Sequence, residues 1–309
     1  MFLNRRNFIK KTSLSTAVIA TASLLINCQK DSVKRAPSGG TYMGGFFSPK
    51  LSTVRAAFIG VGSRGGGHLK NFAELAGTEV VAISDLYEDN VKQKLDMVKQ
   101  LDTSIQHSNI ATYWGEENQW KKMLQEVKPD VVFIATNWKN HAPMAIECMK
   151  QGAHAFVEVP LAVTLKDLWH IVDTSEKTNK HCMMMENVNY GRTELMYLNM
   201  CRQGVIGELL HAEAAYIHEL RGQMQQQDRG TGSWRTPHYA HGSGNLYPTH
   251  GLGPIAQYMS LSRKEDNFKS LVSYSTPALG RKSYAEKNYP ADHKLSLIHI
   301  SEPTRRTPI

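Results

Sequence analysis

The sequence predicts an α/β chain, a doubly wound parallel sheet followed by an α+β domain with an open, mainly antiparallel sheet too short to close. Three observations predict it. An apolar run at Ala56–Ile59 leads into Gly60-x-Gly62-x-x-Gly65, and a second apolar run ends on Asp85. Continuous apolar runs recur at 130–136, 153–158 and 181–187, separated by segments of helical period, as buried parallel strands alternating with helices require. Beyond Tyr190 the pattern changes to the alternation of a half-exposed strand, at 209–220.

The glycine segment is the most specific of these. Gly60 permits a tight turn, Gly62 lets the backbone approach a pyrophosphate, and Gly65 lets a helix pack against the strand. The helix that starts there offers free N–H groups and its positive dipole end to phosphates. Asp85 closes the second strand, where a carboxylate accepts ribose hydroxyls. No Lys or Arg lies within 86–90 to receive a 2′-phosphate, so the spacing predicts a Rossmann domain that binds NAD rather than NADP.

Helices are expected over 90–101, 141–151 and 164–178, the last with Thr164 as N-cap. In an open α/β sheet ligands gather beyond the strand C-termini. Asn137, Trp138, His141, Glu158 and Asn187 are therefore expected to border the cofactor. The second domain opens with a helix over 193–203. A strand over 209–220, a long polar loop over 221–245, a helix over 250–259 and a strand near 271–274 follow.

Of 309 residues, 36 are Lys or Arg and 28 Asp or Glu, a net charge of +8. Residues 1–50 carry +7 of it and 295–309 another +1, so 51–294 is near neutral and no nucleic-acid surface is implied. Residues 1–28 read as an export signal. Arg5-Arg6 precedes Phe8 in the manner of a twin-arginine signal, and the apolar run 14–26 is too short to anchor as a span. Leu25-Ile26-Asn27-Cys28 resembles a bacterial lipobox, with Cys28 the lipidated residue and the membrane its attachment. Asn27 departs from the small residue usual before that cysteine, which leaves a soluble exported protein as the alternative. The chain is thus expected to be a periplasmic protein or a membrane-anchored lipoprotein. Export after folding suits a domain that must take up its nucleotide in the cytoplasm.

Residues 29–50 read as a tether, 51–188 as the NAD-binding domain and 189–294 as an incomplete substrate domain. Residues 295–309 resemble translated adapter sequence and read as a non-native tail. Cys148, Cys182 and Cys201 lie in apolar contexts without metal or disulfide spacing, and are expected to be free thiols.

Residues 234–251 are dense in Trp, Tyr, Arg and His, a composition that suits carbohydrate: aromatic faces cover the C–H surface while Arg and His reach hydroxyls. A His beside a Tyr also serves proton transfer near neutral pH. Packing of the loop on its own domain is the alternative. His238, His241 and His250 lack an acidic companion and rigid spacing, so no metal site is expected.

The chain resembles the Gfo/Idh/MocA oxidoreductase superfamily and, within it, glycoside hydrolase family 109, the NAD-dependent α-N-acetylgalactosaminidases. The resemblance runs from about Val54 to Lys294. Its carriers are Glu186-Asn-Val-Asn-Tyr190, Trp234-Arg-Thr236 and Tyr247-Pro248-Thr249-His250-Gly251. Dehydrogenases of the superfamily carry Glu-Lys-Pro after the fifth strand, the lysine assisting hydroxyl deprotonation. Here the tripeptide is Glu158-Val159-Pro160, and family 109 also lacks the lysine.

By motif position the resemblance implies NAD contacts at Ser63, Arg64, Asp85, Trp138, Lys139, Asn140, His141, Glu158, Val159 and Asn187, beside the glycine loop. It implies sugar contacts at Tyr190, Arg235, Tyr247, Pro248, Thr249, His250 and Tyr284. The implied substrates are N-acetylgalactosamine-containing glycans, and the implied reaction is redox-neutral. C3 of the sugar is oxidised, the aglycone is eliminated, water adds and the ketone is reduced again. Such a route is an exception to two-carboxylate hydrolysis. His250 and Tyr190 are expected as its acid and base. A sugar dehydrogenase that accumulates NADH and a non-catalytic sugar-binding lipoprotein are the competing readings.

Overall fold

The computed structural model describes residues 39–288 apart from 102–106, 108, 227, 242–244, 246, 263–266, 275–276 and 278. The expected signal, Cys28 and the tail lie outside the described residues.

Six strands form one parallel sheet: β1 Val54–Ile59, β2 Thr78–Ser84, β3 Ala111–Tyr113, β4 Val131–Ile134, β5 His154–Val157 and β6 Cys182–Met184. Their order, β3-β2-β1-β4-β5-β6, is that of a dinucleotide-binding sheet, with its switch point between β1 and β4. Helices α1 Ser63–Ala73, α2 Glu88–Lys99, α3 Gln119–Val127, α4 Trp138–Lys150 and α5 Leu165–Thr178 connect them.

Period-two alternation splits the β1 side chains between two cores. Ala56 and Phe58 pack with Leu69, Phe72 and Val91 from α1 and α2. Ala57 and Ile59 pack with Met123, Leu124, Ala145 and Met149 from α3 and α4. Phe58 stacks on Phe133 at 4.8 Å, and Phe72 and Phe156 meet Phe133 edge-on at 5.3 Å. Thr164 caps α5 as expected: its hydroxyl accepts from the Asp167 N–H at 3.1 Å and donates to the Asp167 carboxylate.

Residues 39–50, expected as free tether, are docked. The Thr41 N–H donates to Glu176 O, the Phe46 ring lies 5.2 Å from His181, and Ser48 Oγ pairs with His154 Nε2 at 3.0 Å. These contacts fall where β5 and β6 begin, at the end of the sheet opposite the glycine loop.

The second region differs from expectation in its sheet. After a 3₁₀ turn at Asn187–Tyr190 come α6 Arg192–Arg202, α7 Arg221–Met224, α8 Gly232–His241, α9 Thr249–Tyr258 and α10 Leu279–Asn288. No strand forms at 209–220 or 271–274, and the open antiparallel sheet is absent among the described residues. Alternation selects a face but supplies no partner, and a strand exists only where a second one takes its N–H and C=O groups. Leu210, Ile217 and Leu271 accordingly stand more than three-quarters exposed.

The long polar loop is also corrected, since α7 and α8 occupy most of it. Trp234, Arg235, His238 and Tyr239 recur at helical spacing and face Trp138, so burial of an aromatic stripe overrides the Gly and Pro content. Among the described residues, no helix is long and apolar enough to cross a membrane.

Candidate functional site

The glycine loop sits at the C-terminal end of β1, beside the β4 end. Gly60 has φ +81°, and a Cβ there would meet Ala135 O at 2.7 Å. A Cβ on Gly65 would lie 1.8 Å from Gly60 O, so helix and loop touch backbone to backbone. Gly62 differs: a Cβ there meets nothing within 4 Å, although the residue begins α1. Two glycines are required by the fold, and the third keeps open space above an uncapped helix N-terminus. No side chain caps α1 and no acid stands in its first turn, the arrangement that receives a diphosphate.

Asp85 lies against this loop. Its Oδ2 accepts from the Val61 N–H at 2.8 Å, and Oδ1 accepts from the Tyr87 N–H and Asn90 Nδ2. Oδ1 thus already accepts twice, while Oδ2 retains a lone pair for ribose. Ser63, Arg64 and Asn187 are exposed around the same end of the sheet, as is Lys139, while Asn140 is half-buried. Glu158 follows β5, its Oε1 2.5 Å from His68 Nε2 and 3.8 Å from Arg64 Nε. His68 was not among the sequence candidates, although it lies one turn along α1 from Arg64.

Trp138, His141 and Val159 take a different place from that expected. Trp138 is 2% exposed, enclosed by Trp234, His238, Tyr239 and Tyr247 at 5.0–6.4 Å. His141 is buried, its Nδ1 2.7 Å from Pro160 O and Nε2 3.1 Å from Thr136 O, and burial holds its pKa down. Val159 joins Trp138, Leu220, Met224, Tyr239 and Tyr247 in an apolar cluster shared by the two regions. These side chains shape the site from beneath and have no surface left to offer a cofactor directly.

On the other side of that cluster, α9 and the 3₁₀ turn bring His250 against Glu186. His250 Nδ1 donates to Glu186 Oε1 at 2.6 Å, since a carboxylate can only accept, and Nε2 is left for another partner. Burial raises the pKa of Glu186, but the interactions with His250, Thr249 and the Val188 N–H outweigh it and hold the carboxyl below its ordinary value.

The Tyr247 ring stacks on His250 at 5.3 Å, and its hydroxyl accepts from Arg235 Nη2 at 2.9 Å. Burial pushes the Tyr247 phenol up, so it stays protonated at neutral pH. Asn137 Oδ1, Glu186 Oε2, Asn189 Oδ1 and Arg235 Nε are buried without a protein hydrogen-bond partner. Such groups are costly unless something polar meets them, and they lie on the residues that frame His250 and the β4 end. Pro248 is exposed and Thr249 half-buried at the start of α9.

Tyr216 joins Tyr247 beside His250. The Tyr216 ring lies 4.8 Å from His250 and 5.5 Å from Tyr247, and burial raises its phenol. Tyr190 ends the 3₁₀ turn at 56% exposure, because the turn directs Glu186 inward and its last residue outward. Tyr284 packs on Arg221, whose guanidinium is 5.2 Å from its ring, on α10 rather than in the His250 group. Tyr216 escaped the sequence reading because it lies in a segment read for its alternation alone. Among the described residues no His, Cys, Asp or Glu cluster could hold a metal ion.

Residues 54–186 match the model of the oxidoreductase family with an NAD-binding Rossmann fold, and 190–302 match the C-terminal domain of glycosyl hydrolase 109. The chain belongs to glycosyl hydrolase family 109. Glycosyl hydrolase family 109 protein 1 of Akkermansia muciniphila is 62% identical over 85% of this family 109 chain and 54% of its own length. The α-N-acetylgalactosaminidase of Shewanella oneidensis is 50% identical over 94% of the chain and 62% of its own. The chain therefore spans between about half and two-thirds of the length of these relatives. Myo-inositol 2-dehydrogenase from Lactobacillus plantarum shares the fold, with a TM-score of 0.53 at 20% identity over 67% of this chain and 57% of that one. The match of residues 54–186 to an NAD-binding Rossmann fold gives the glycine loop its cofactor, and the uncapped α1 N-terminus, open Gly62 and Asp85 fit that group.

Proposed function

We propose that the protein is an NAD-dependent glycosidase acting on terminal, α-linked N-acetylgalactosamine. The observation that carries the reading is the Glu186–His250 pair, set with Tyr216, Tyr247 and Arg235 above a position where the superfamily's dehydrogenase lysine is replaced by buried Val159. The name of the Shewanella oneidensis relative supports the sugar.

NAD, when bound, supplies a hydride acceptor that is regenerated within one turnover. The chain's own residues supply binding and proton transfer. The α1 N-terminus receives the diphosphate and Asp85 the ribose. Glu186 fixes His250 with the proton on Nδ1, so Nε2 is the atom that takes or returns a substrate proton. Arg235 holds the Tyr247 hydroxyl and offers further donors to sugar oxygens. The half-buried Tyr216 ring, backed by Tyr247, gives the apolar face of a pyranose a surface to rest on. Val159 can neither accept nor release a proton, which removes the lysine-assisted deprotonation of a dehydrogenase.

A chromogenic α-N-acetylgalactosaminide tests this. Release of the sugar without accumulation of NADH is expected. NADH produced in step with substrate use shows a dehydrogenase, and retained NAD without turnover shows a binding protein. We further propose export through the twin-arginine signal and lipid attachment at Cys28. Cys28→Ser should move the protein from the membrane to the soluble fraction of an expressing cell, and unchanged partition overturns the attachment.

A further inference from the structure

We propose that Arg229 is a clamp that ties the second region across the adenosine end of the dinucleotide site and keeps the cofactor in place between turnovers. The inference rests on the NAD reading of the glycine loop. Arg229 lies in the short segment between α7 and α8, 140 residues along the chain from its partner. Its Nη1 and Nη2 donate to the two carboxylate oxygens of Asp89, each at 3.0 Å, a bidentate pair in which both planar groups are oriented. The same guanidinium lies 3.8 Å from the centroid of the Tyr87 ring.

Both partners belong to the bend that leads from Asp85 into α2. The Tyr87 N–H donates to the Asp85 carboxylate, and Asp89 stands in the first turn of α2. A residue gripping this bend sits at the mouth of the ribose site that Asp85 marks. The pair is charge-coupled in both directions: the hydrogen bond from Arg229 holds the Asp89 carboxyl down, and Asp89 raises the guanidinium.

A cation at this place has a second reading, as receptor for the 2′-phosphate of NADP. The geometry disfavours it. Asp89 already engages both terminal nitrogens, and a phosphate would have to displace that carboxylate while standing beside Asp85. A clamp fits the proposed chemistry. A dinucleotide that is regenerated within each turnover gains nothing from leaving, and a contact made outside the reacting atoms slows departure without changing the reaction.

The test is the release rate of bound NADH from the purified full chain, followed by loss of NADH fluorescence after addition of excess unlabelled NAD⁺. An exposed pair with a stacked ring contributes modestly, so Arg229→Ala should release NADH about 3- to 10-fold faster. Arg229→Lys, which keeps the charge but loses the bidentate geometry, should fall between. The double exchange Arg229→Asp with Asp89→Arg should recover part of the slow release. Equal release from wild type and Arg229→Ala overturns the clamp, as does loss of NADP binding without change in NADH release. Wild-type protein that binds neither dinucleotide overturns the NAD reading with it, whereas bound NADH indifferent to Arg229 overturns the clamp alone.

Discussion

Two carboxylate–imidazole pairs stand at the site, one within the first region and one joining the two, and they are built differently. Glu158 and His68 are 2.5 Å apart with side chains 18% and 24% exposed, and Arg64 lies 3.8 Å from the same carboxylate oxygen. Glu186 and His250 are 2.6 Å apart, but Glu186 is 1% exposed, with the Val188 N–H and Thr249 beside the imidazole. Glu158 meets His68, Arg64 and the Val159 N–H and is partly exposed, so no one partner is indispensable to it. Glu186 depends on His250, because a buried carboxylate is costly unless hydrogen-bonded. The first pair is an adaptable anchor at the mouth. The second is a fixed unit with one imidazole nitrogen left for chemistry.

The largest effect should separate the imidazoles. His250→Ala should lower glycosidase turnover about 10²- to 10⁴-fold, the range for losing a general acid or base. His68→Ala should cost less than about tenfold and act mainly on dinucleotide affinity, because Arg64 still attends Glu158. A His68 variant as inactive as the His250 variant would reverse the assignment of roles.

Next comes the carboxylate behind the imidazole. Glu186→Ala should reduce turnover by about 100-fold through a misplaced His250, and Glu186→Gln should retain more, since an amide oxygen still accepts from Nδ1–H. The same variant carries a pH signature. Glu186 is held below its ordinary value in the folded protein. Its stabilising contribution is therefore full above the unfolded value of about 4.3 and is lost as pH falls through the lower folded value. Urea unfolding followed from neutral to acid pH should show a shallower acid decline in Glu186→Gln than in wild type. Parallel curves would mean that the pair contributes nothing to the acid limb.

The glycine loop should separate a stability effect at Gly65 from an affinity effect at Gly62. Gly65→Ala brings a Cβ to 1.8 Å from Gly60 O and should unfold the Rossmann half, read as a lost thermal transition. Gly62→Ala meets no protein atom, so it should melt within a few degrees of wild type yet bind NADH at least about tenfold more weakly. Wild-type affinity in Gly62→Ala would show that the open space is not where the diphosphate lies.

The first half was legible because its signals are local and repeated. Gly60, Gly62, Gly65 and Asp85 lie on consecutive elements, and a buried parallel strand announces itself by an unbroken apolar run. The second half was legible only as composition. Alternation at 209–220 resembled a strand, while the structure uses the segment to deliver Tyr216 and Leu220 beneath α8 and α9. The aromatic stripe at 234, 238 and 239 was hidden by the neighbouring Gly and Pro. Tyr190 was favoured because it shares a motif with Glu186, but four residues of 3₁₀ turn separate inward from outward.

The sequence by itself determined the parallel sheet, the phosphate-binding turn and the Glu158-Val159-Pro160 tripeptide after β5, since each depends on which residues are neighbours along the chain. Only the tertiary structure decided that Glu186 holds His250, that Tyr216 stands beside it, and that Arg229 reaches Asp89. Those pairings join residues 64, 34 and 140 positions apart. Spacing along a chain carries no distance information at that range, and packing of the Trp138–Val159 cluster supplies it.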